Sequence, residues 1–258
     1  MASHRFGIPL AAICALTLSA SLASPAQAQV QTQSRAQAQA QAQRAADPYC
    51  VTHKCIALTF DDGPAEYTND LLKVLKKYKA KATFFLIGNR VKKHPKLTKN
   101  IAKDGHELGN HTWDHKYLTD LEYKAIYDEV KKTQDIIKKT TGKAPVLFRA
   151  PGGLINEGAR TIIAKFGMIQ IPGTVSTQDY IKDYRDVEFL TGRALDIANQ
   201  DEVVLMHETV KQTIESMSAV LEDLTSQGYS FVTVSKLLEG QELTPGGSYP
   251  EQLPLSGD

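Results

Sequence analysis

Between about residues 48 and 239, short runs rich in β-branched and aromatic residues alternate with stretches whose apolar residues recur at helical spacing. The strand-like runs cover residues 56–60, 82–88, 107–111, 146–150, 168–175, 203–207 and 229–234. Helical patterns fill most of the intervals. Leu71, Leu72, Leu75 and Tyr78 share a face after Thr68, which is placed to cap them, and Thr119-Asp120-Leu121-Glu122 has the form of a capping box opening a longer helix. Repeated β-then-α units of this length predict an α/β fold, a mostly parallel sheet with helices outside it, open or closed into a barrel. In such folds the chemistry gathers at the C-terminal ends of the strands.

The two ends of the chain lack this alternation. An apolar stretch over residues 8–23 follows His4 and Arg5, is interrupted by Thr17, Ser19 and Ser21, and leads to Ala26-Gln27-Ala28. This is the pattern of a signal peptide over residues 1–28, cleaved before Gln29, and it predicts a secreted or periplasmic protein with no membrane span. Residues 29–47 repeat Ala and Gln without an apolar face and read as a disordered linker, a weak helix being the alternative. The folded domain is expected over residues 48–239. Residues 240–258, with Pro245-Gly246-Gly247, Pro250 and Pro254, read as a poorly ordered tail.

Composition narrows the partners. The 258 residues are 42% hydrophobic and carry 30 basic against 29 acidic side chains; removal of the signal peptide leaves 29 of each. With no net field and no dense Lys/Arg run, nucleic acid is not expected as a partner. A monomer is expected, though not on the ground of charge. The basic cluster Lys73, Lys76, Lys77, Lys79 and Lys81 reads as the wet face of a helix. Cleavage also removes Cys14 and leaves Cys50 and Cys55, which in an oxidising compartment can close a small disulfide loop; two free thiols are the alternative.

The polar clusters that look chemical all follow strand-like runs. Asp61-Asp62-Gly63-Pro64 places adjacent carboxylates at a strand end, which is costly unless a cation sits there. His111-Thr112-Trp113-Asp114-His115 sets two imidazoles four residues apart. Either cluster alone is as well explained by a solvated surface. Together, one carboxylate and two imidazoles make a three-ligand set that leaves a fourth zinc position open.

Four motifs in order, Thr59-Phe60-Asp61-Asp62-Gly63-Pro64, His111-Thr112-Trp113-Asp114-His115, Arg149-Ala150-Pro151-Gly152-Gly153 and Leu205-Met206-His207, resemble those of the NodB-type polysaccharide deacetylases, carbohydrate esterase family 4. The resemblance extends over residues 56–238. It implies a distorted (β/α) barrel and a metal-dependent hydrolase that removes acetyl groups from N-acetylated or O-acetylated glycans. Chitin oligomers or peptidoglycan would be the substrate, with acetylxylan and a non-catalytic glycan-binding role as rivals. By that resemblance Asp62, His111 and His115 would hold zinc, or another divalent transition metal such as cobalt or nickel. Asp61 would be the general base toward water, and Arg149 would pair with and aim it. The backbone N–H of Gly152 would help hold the oxyanion, with Tyr180 on the substrate side, and His207 would be the acid. All six side-chain roles are filled, which argues against a decayed site.

Two departures from the family pattern stand out. An aromatic residue usually follows the motif's proline, and Gly152 would remove that wall of the groove. The family's fourth motif usually reads Asp-x-x-Asp-Trp, whereas this chain has Ser176-Thr177-Gln178-Asp179-Tyr180. With the first Asp taken as the partner that orients the acid, Ser176 would leave His207 a weaker acid, unless Asp179 or Glu208 substitutes. His53, His94 and His106 match no motif position, and Trp113 is assigned equally to groove or core.

Overall fold

The computed structural model describes residue 35 and residues 48–249. The expected signal peptide, all of the Ala/Gln-rich segment except Arg35, and residues 250–258 lie outside the described residues. No helix among the described residues is long and apolar enough to cross a membrane.

Eight parallel strands form the sheet: β1 (Cys55–Gly63), β2 (Thr83–Leu86), β3 (Glu107–Asn110), β4 (Leu147–Phe148), β5 (Ile169–Gln170), β6 (Val175–Ser176), β7 (Val203–His207) and β8 (Ser230–Phe231). Their order is β5-β4-β3-β2-β1-β7-β6, with β8 pairing β1 at its N-terminal end. β1 is the central strand, and all but one of its residues are buried, as expected for a strand covered on both faces. A helical turn, α1 (Tyr49–Thr52), precedes it, and a Cys50–Cys55 disulfide ties that turn to the start of β1.

The helices pack outside the sheet. They are α2 (Thr68–Lys77), α3 (Gly88–Lys93), α4 (Pro95–Lys103), α5 (Tyr123–Thr141), α6 (Glu157–Lys165), α7 (Val187–Asp196), α8 (Lys211–Ser226) and α9 (Val234–Leu237). Leu71, Leu72 and Leu75 of α2 join Phe60, Phe84 and Met206 of the strands and Met217, Val220 and Leu221 of α8 in one apolar cluster. Ile126 and Val130 of α5 pack with Phe148 and with Ile162 and Ile163 of α6 in another. The lysines of α2 are exposed. Neither expected cap forms. Thr68 Oγ1 accepts from Ala65 N–H and donates to Glu208, and α5 starts after Glu122 with no side-chain cap, Thr119 lying in a preceding 3-10 turn.

The run expected as one strand over residues 168–175 is two. β5 pairs β4 at one edge of the sheet and β6 pairs β7 at the other, with four residues between them. Pro172 lacks the N–H that a ladder needs, and Gly173 lies where a Cβ would stand 2.5 Å from Leu205 Cβ, so the chain crosses instead of continuing in register. The curled sheet is therefore joined across its open side by the covalent chain. Part of the C-terminal segment read as poorly ordered docks on the β5 edge: Gln170 N–H donates to Gly247 O (2.8 Å) and Tyr249 N–H to Gln170 O (2.9 Å). It covers an edge that would otherwise offer unpaired backbone groups.

Gly173→Ala forces its new methyl into Leu205 and is expected to destabilise the fold by about 1–3 kcal/mol. Urea unfolding monitored by circular dichroism measures it, and an unchanged midpoint would contradict the close approach.

Candidate active site

The C-terminal ends of β1, β3, β4 and β7 open on one cavity of about 530 Å³. Asp61 and His207 stand side by side at its floor because β1 and β7 pair residue for residue, Asp61 opposite His207.

Asp61 is held by Arg149, both buried. Arg149 Nη1 donates to Asp61 Oδ1 and to Thr59 Oγ1, each at 2.8 Å, Nε donates to Ile171 O at 2.9 Å, and the guanidinium stacks 4.0 Å over the Phe85 ring. A buried ion pair is costly unless its remaining polar atoms are partnered, and here a hydroxyl, a carbonyl and an aromatic face do most of that. Asp61 Oδ2 is left facing His111 Nε2 at 3.8 Å.

Asp62, His111 and His115 converge. Asp62 Oδ1 is 3.6 Å from His111 Nε2 and 3.3 Å from His115 Nε2, and the three ligand atoms lie within 4.8 Å of one another. His111 Nδ1 donates to Arg149 O (2.7 Å), so its Nε2 presents a lone pair, and burial lowers its pKa despite the nearby Asp61 and Asp62. Asp62 Oδ1 is buried without a hydrogen-bond partner among the described residues. Ligand atoms about 2.0–2.1 Å from a tetrahedral ion lie roughly 3.3 Å apart, so the spacing, the unpartnered carboxylate oxygen and the donor types fit a divalent transition metal.

This convergence is bought with local strain. Asp62 (φ 70°), Thr112 (φ 65°) and His115 (φ 59°) all lie in the left-handed region, costing on the order of 1–3 kcal/mol apiece. Glu129 of α5, which the motif search passed over, holds the histidine loop in place. Its buried Oε2 accepts from the backbone N–H groups of Trp113 and Asp114, each at 2.8 Å, and Oε1 lies 3.2 Å from Lys116 Nζ. Arg90 of α3 steadies the other ligand loop by donating to Asp62 O at 2.6 Å.

His207 is oriented by Asp179, not by Ser176. His207 Nδ1 donates to Asp179 Oδ1 (2.7 Å), while Asp179 Oδ2 accepts from the His207 backbone N–H (2.8 Å) and Thr213 Oγ1 (2.7 Å). The chain turns after β6 at Gln178 (φ 62°) and brings Asp179 beneath β7, whereas Ser176 Oγ accepts from Gln178 N–H. Glu208, the other substitute considered, is the first residue of the turn after β7 and accepts from Thr68 instead. It is buried against Thr68, and burial pushes its carboxyl up to about 8. Of the two substitutes for the missing carboxylate, Asp179 is therefore the one paired with His207. Burial alone would lower its pKa, but the hydrogen bond and charge of Asp179, with Asp61 and Asp62 farther off, raise it to about 9.

Gly152 lies in a 3-10 turn whose hydrogen bonds run from Gly153 N to Ala150 O and from Leu154 N to Pro151 O, neither using the Gly152 N–H. Tyr180 borders the cavity, its ring 5.9 Å edge-on from that of His207. Trp113 does not line the cavity and packs on Gly88, and His106 is buried, its Nδ1 accepting from Ala82 N–H.

Comparison with known proteins gives this geometry a family. The model for polysaccharide deacetylase matches residues 49–171. A peptidoglycan-N-acetylglucosamine deacetylase of Bacillus cereus is 37% identical over 194 residues, covering 72% of this chain and 88% of that protein. The chain belongs to the polysaccharide deacetylase family. Peptidoglycan-N-acetylglucosamine deacetylase PgdA of Listeria monocytogenes is 38% identical over 203 residues, covering 78% of this chain but only 42% of that longer protein. The solved structure of T48 deacetylase with substrate superposes with a TM-score of 0.73 at 36% identity, covering 78% of this chain and 98% of that one. The polysaccharide deacetylase fold thus accounts for the curled parallel sheet and its surrounding helices.

Glu129→Ala strands two backbone N–H groups at about 1–3 kcal/mol each. It is expected to lower the melting temperature and to weaken zinc binding measured by calorimetric titration; wild-type zinc affinity would show that the loop holds itself. In the metal-free protein, Asp179→Asn is expected to lower the His207 pKa in an NMR titration. A raised histidine pKa stabilises the fold fully below its unfolded value near 6.5 and ceases to do so as pH rises through about 9, so the melting difference between wild type and Asp179→Asn should narrow over that window. An equal difference at pH 6 and pH 10 would contradict the pairing.

Proposed function

We propose that this chain is a secreted or periplasmic, metal-dependent deacetylase that hydrolyses acetyl groups from N-acetylglucosamine-containing glycans, with peptidoglycan favoured over chitin oligomers. One observation carries the reading: a carboxylate and an imidazole, each held by its own buried partner, flank a three-ligand cluster at the floor of an open cavity. The relatives' names, which specify peptidoglycan, support the choice of polymer.

Asp62, His111 and His115 would hold zinc, or cobalt or nickel in its place. When bound, the ion lowers the pKa of a water and polarises the acetyl carbonyl. Asp61 takes the proton of the attacking water on Oδ2, the oxygen that Arg149 does not use. Arg149 keeps that carboxylate from rotating through its bonds to Asp61, Thr59 and Ile171. The Gly152 N–H donates to the carbonyl oxygen as it gains charge. His207, protonated at neutral pH because of Asp179, gives its Nε2 proton to the leaving nitrogen as the C–N bond breaks, releasing acetate and a free amine.

Acetate release from peptidoglycan, chitin oligomers and acetylxylan, each with and without a chelator, tests the proposal. Chelator-sensitive release from peptidoglycan is expected, and release from acetylxylan alone would replace the reading with an esterase. Asp61→Asn should retain zinc and lose at least about a hundredfold in kcat, the scale of general-base catalysis. His111→Ala should lose zinc itself, and zinc loss in Asp61→Asn would make Asp61 a ligand.

A further inference from the structure

The missing side chain at Gly152 leaves no gap. A Cβ built there would stand 2.5 Å from Tyr117 Cε1, 3.2 Å from Cδ1 and 3.6 Å from Cζ, so the Tyr117 ring already occupies the space into which a residue following Pro151 would project. Tyr117 comes from a different element, the loop after β3 that carries His115. Next to it, Leu118 is fully buried against Phe148 and Val130, anchoring the backbone while the tyrosine ring remains 50% exposed on the cavity wall. Gly152 has φ 63°, a conformation that L side chains rarely adopt, and its bare backbone lets the ring lie flat against the turn.

A second exposed tyrosine borders the cavity elsewhere. Tyr180, 54% exposed, follows β6, which lies four strands from β3 along the sheet. Both rings border the cavity that holds the Asp-His-His cluster and His207, the Tyr180 ring 5.9 Å from that of His207. Large aromatic side chains left half in water offer a flat apolar face with a polar tip, the shape that stacks against the C–H face of a pyranose ring.

We propose that Tyr117, seated on Gly152, is a substrate-positioning residue that forms one aromatic wall of the sugar-binding groove, and that Gly152 serves to admit it. The inference rests on the deacetylase reading above. It gives the loop that carries His115 a second task, so ligand loop and groove wall move as one piece. It also predicts that Gly152→Ala and Tyr117→Ala weaken the same wall: the first pushes the ring away, and the second deletes it.

The experiment measures three things on wild type, Tyr117→Ala, Tyr117→Phe, Gly152→Ala and the Gly152→Ala/Tyr117→Ala pair. With the N-acetylglucosamine tetramer as substrate, Tyr117→Ala is expected to raise KM about fivefold to tenfold while kcat stays within about twofold, the scale of a lost aromatic contact, and Gly152→Ala to raise KM by a similar factor. Tyr117→Phe keeps the wild-type KM. The double variant is no worse than Tyr117→Ala, because Gly152 then has no ring to admit. Hydrolysis of 4-nitrophenyl acetate, too small to reach the wall, is unchanged in Tyr117→Ala and Tyr117→Phe. Calorimetric titration of the tetramer into zinc-loaded Asp61→Asn, with and without Tyr117→Ala, reads binding without turnover and should show the same fivefold to tenfold loss. Unchanged KM and affinity in Tyr117→Ala, additive effects in the double variant, or no tetramer binding at all overturns the wall. A wild type that binds the tetramer tightly, loses that affinity on Tyr117→Ala, yet releases acetate from no glycan overturns the deacetylase reading and leaves the wall standing.

Discussion

The rest of the molecule is arranged around one buried guanidinium. Arg149 reaches from the end of β4 across the sheet to β1, where it meets Thr59 and Asp61, and to the crossing segment, where it meets Ile171 O. Its own backbone is used too, the N–H donating to Asn110 O and the carbonyl accepting from His111 Nδ1. A charge so fully removed from water tolerates little displacement, since each partner that shifts leaves a desolvated donor behind. The proposed base, the tautomer of one metal-site histidine and the path of the chain between the sheet edges are thereby referred to a single side chain.

The two sides of the site are steadied by different means. On the side of the Asp62, His111 and His115 cluster the backbone is forced into left-handed conformations at Asp62, Thr112 and His115, and buried Glu129 and the guanidinium of Arg90 hold the loops there. On the other side one left-handed residue, Gln178, makes the turn, and Asp179 then orients His207 through two hydrogen bonds while Thr213 and Arg185 hold its own carboxylate and carbonyl. Strain sets where ligands point, and charge sets what a proton does.

Much of this was legible in the chain. Runs such as residues 203–207 read as strands because they are short and continuously apolar, and Asp61, Asp62, His111, His115, Arg149 and His207 lie at or just after strand ends, where α/β chemistry collects. The illegible parts are those decided by tertiary contact. Residues 168–175 have strand composition throughout, and only the approach of Leu205 shows why Gly173 interrupts them. Thr68 looks like a cap but is claimed by Glu208, a partner 140 residues away. Ser176 and Asp179 differ in role by the direction of one turn at Gln178, which residue type alone does not disclose. Glu129 did carry a signal: it lies on the buried face of α5 with Ile126, Val130, Thr133 and Ile137, and a carboxylate on an apolar stripe asks for a partner.

The crossing at Ile171–Thr174 has a mechanical meaning. No hydrogen-bonded ladder joins β5 to β6 among the described residues, so the circumference is completed by a strap of four residues. A ladder resists opening with many parallel bonds, whereas a strap resists only along its length. Its two ends are fastened, Ile171 N–H to Phe148 O (2.8 Å) and Thr174 N–H to Val203 O (3.1 Å), so the span left without ladder bonds is Pro172 and Gly173. Pro172 and Gly173 lie on the cavity wall itself, so the same four residues that tether the ring also set how thick a polymer it can admit.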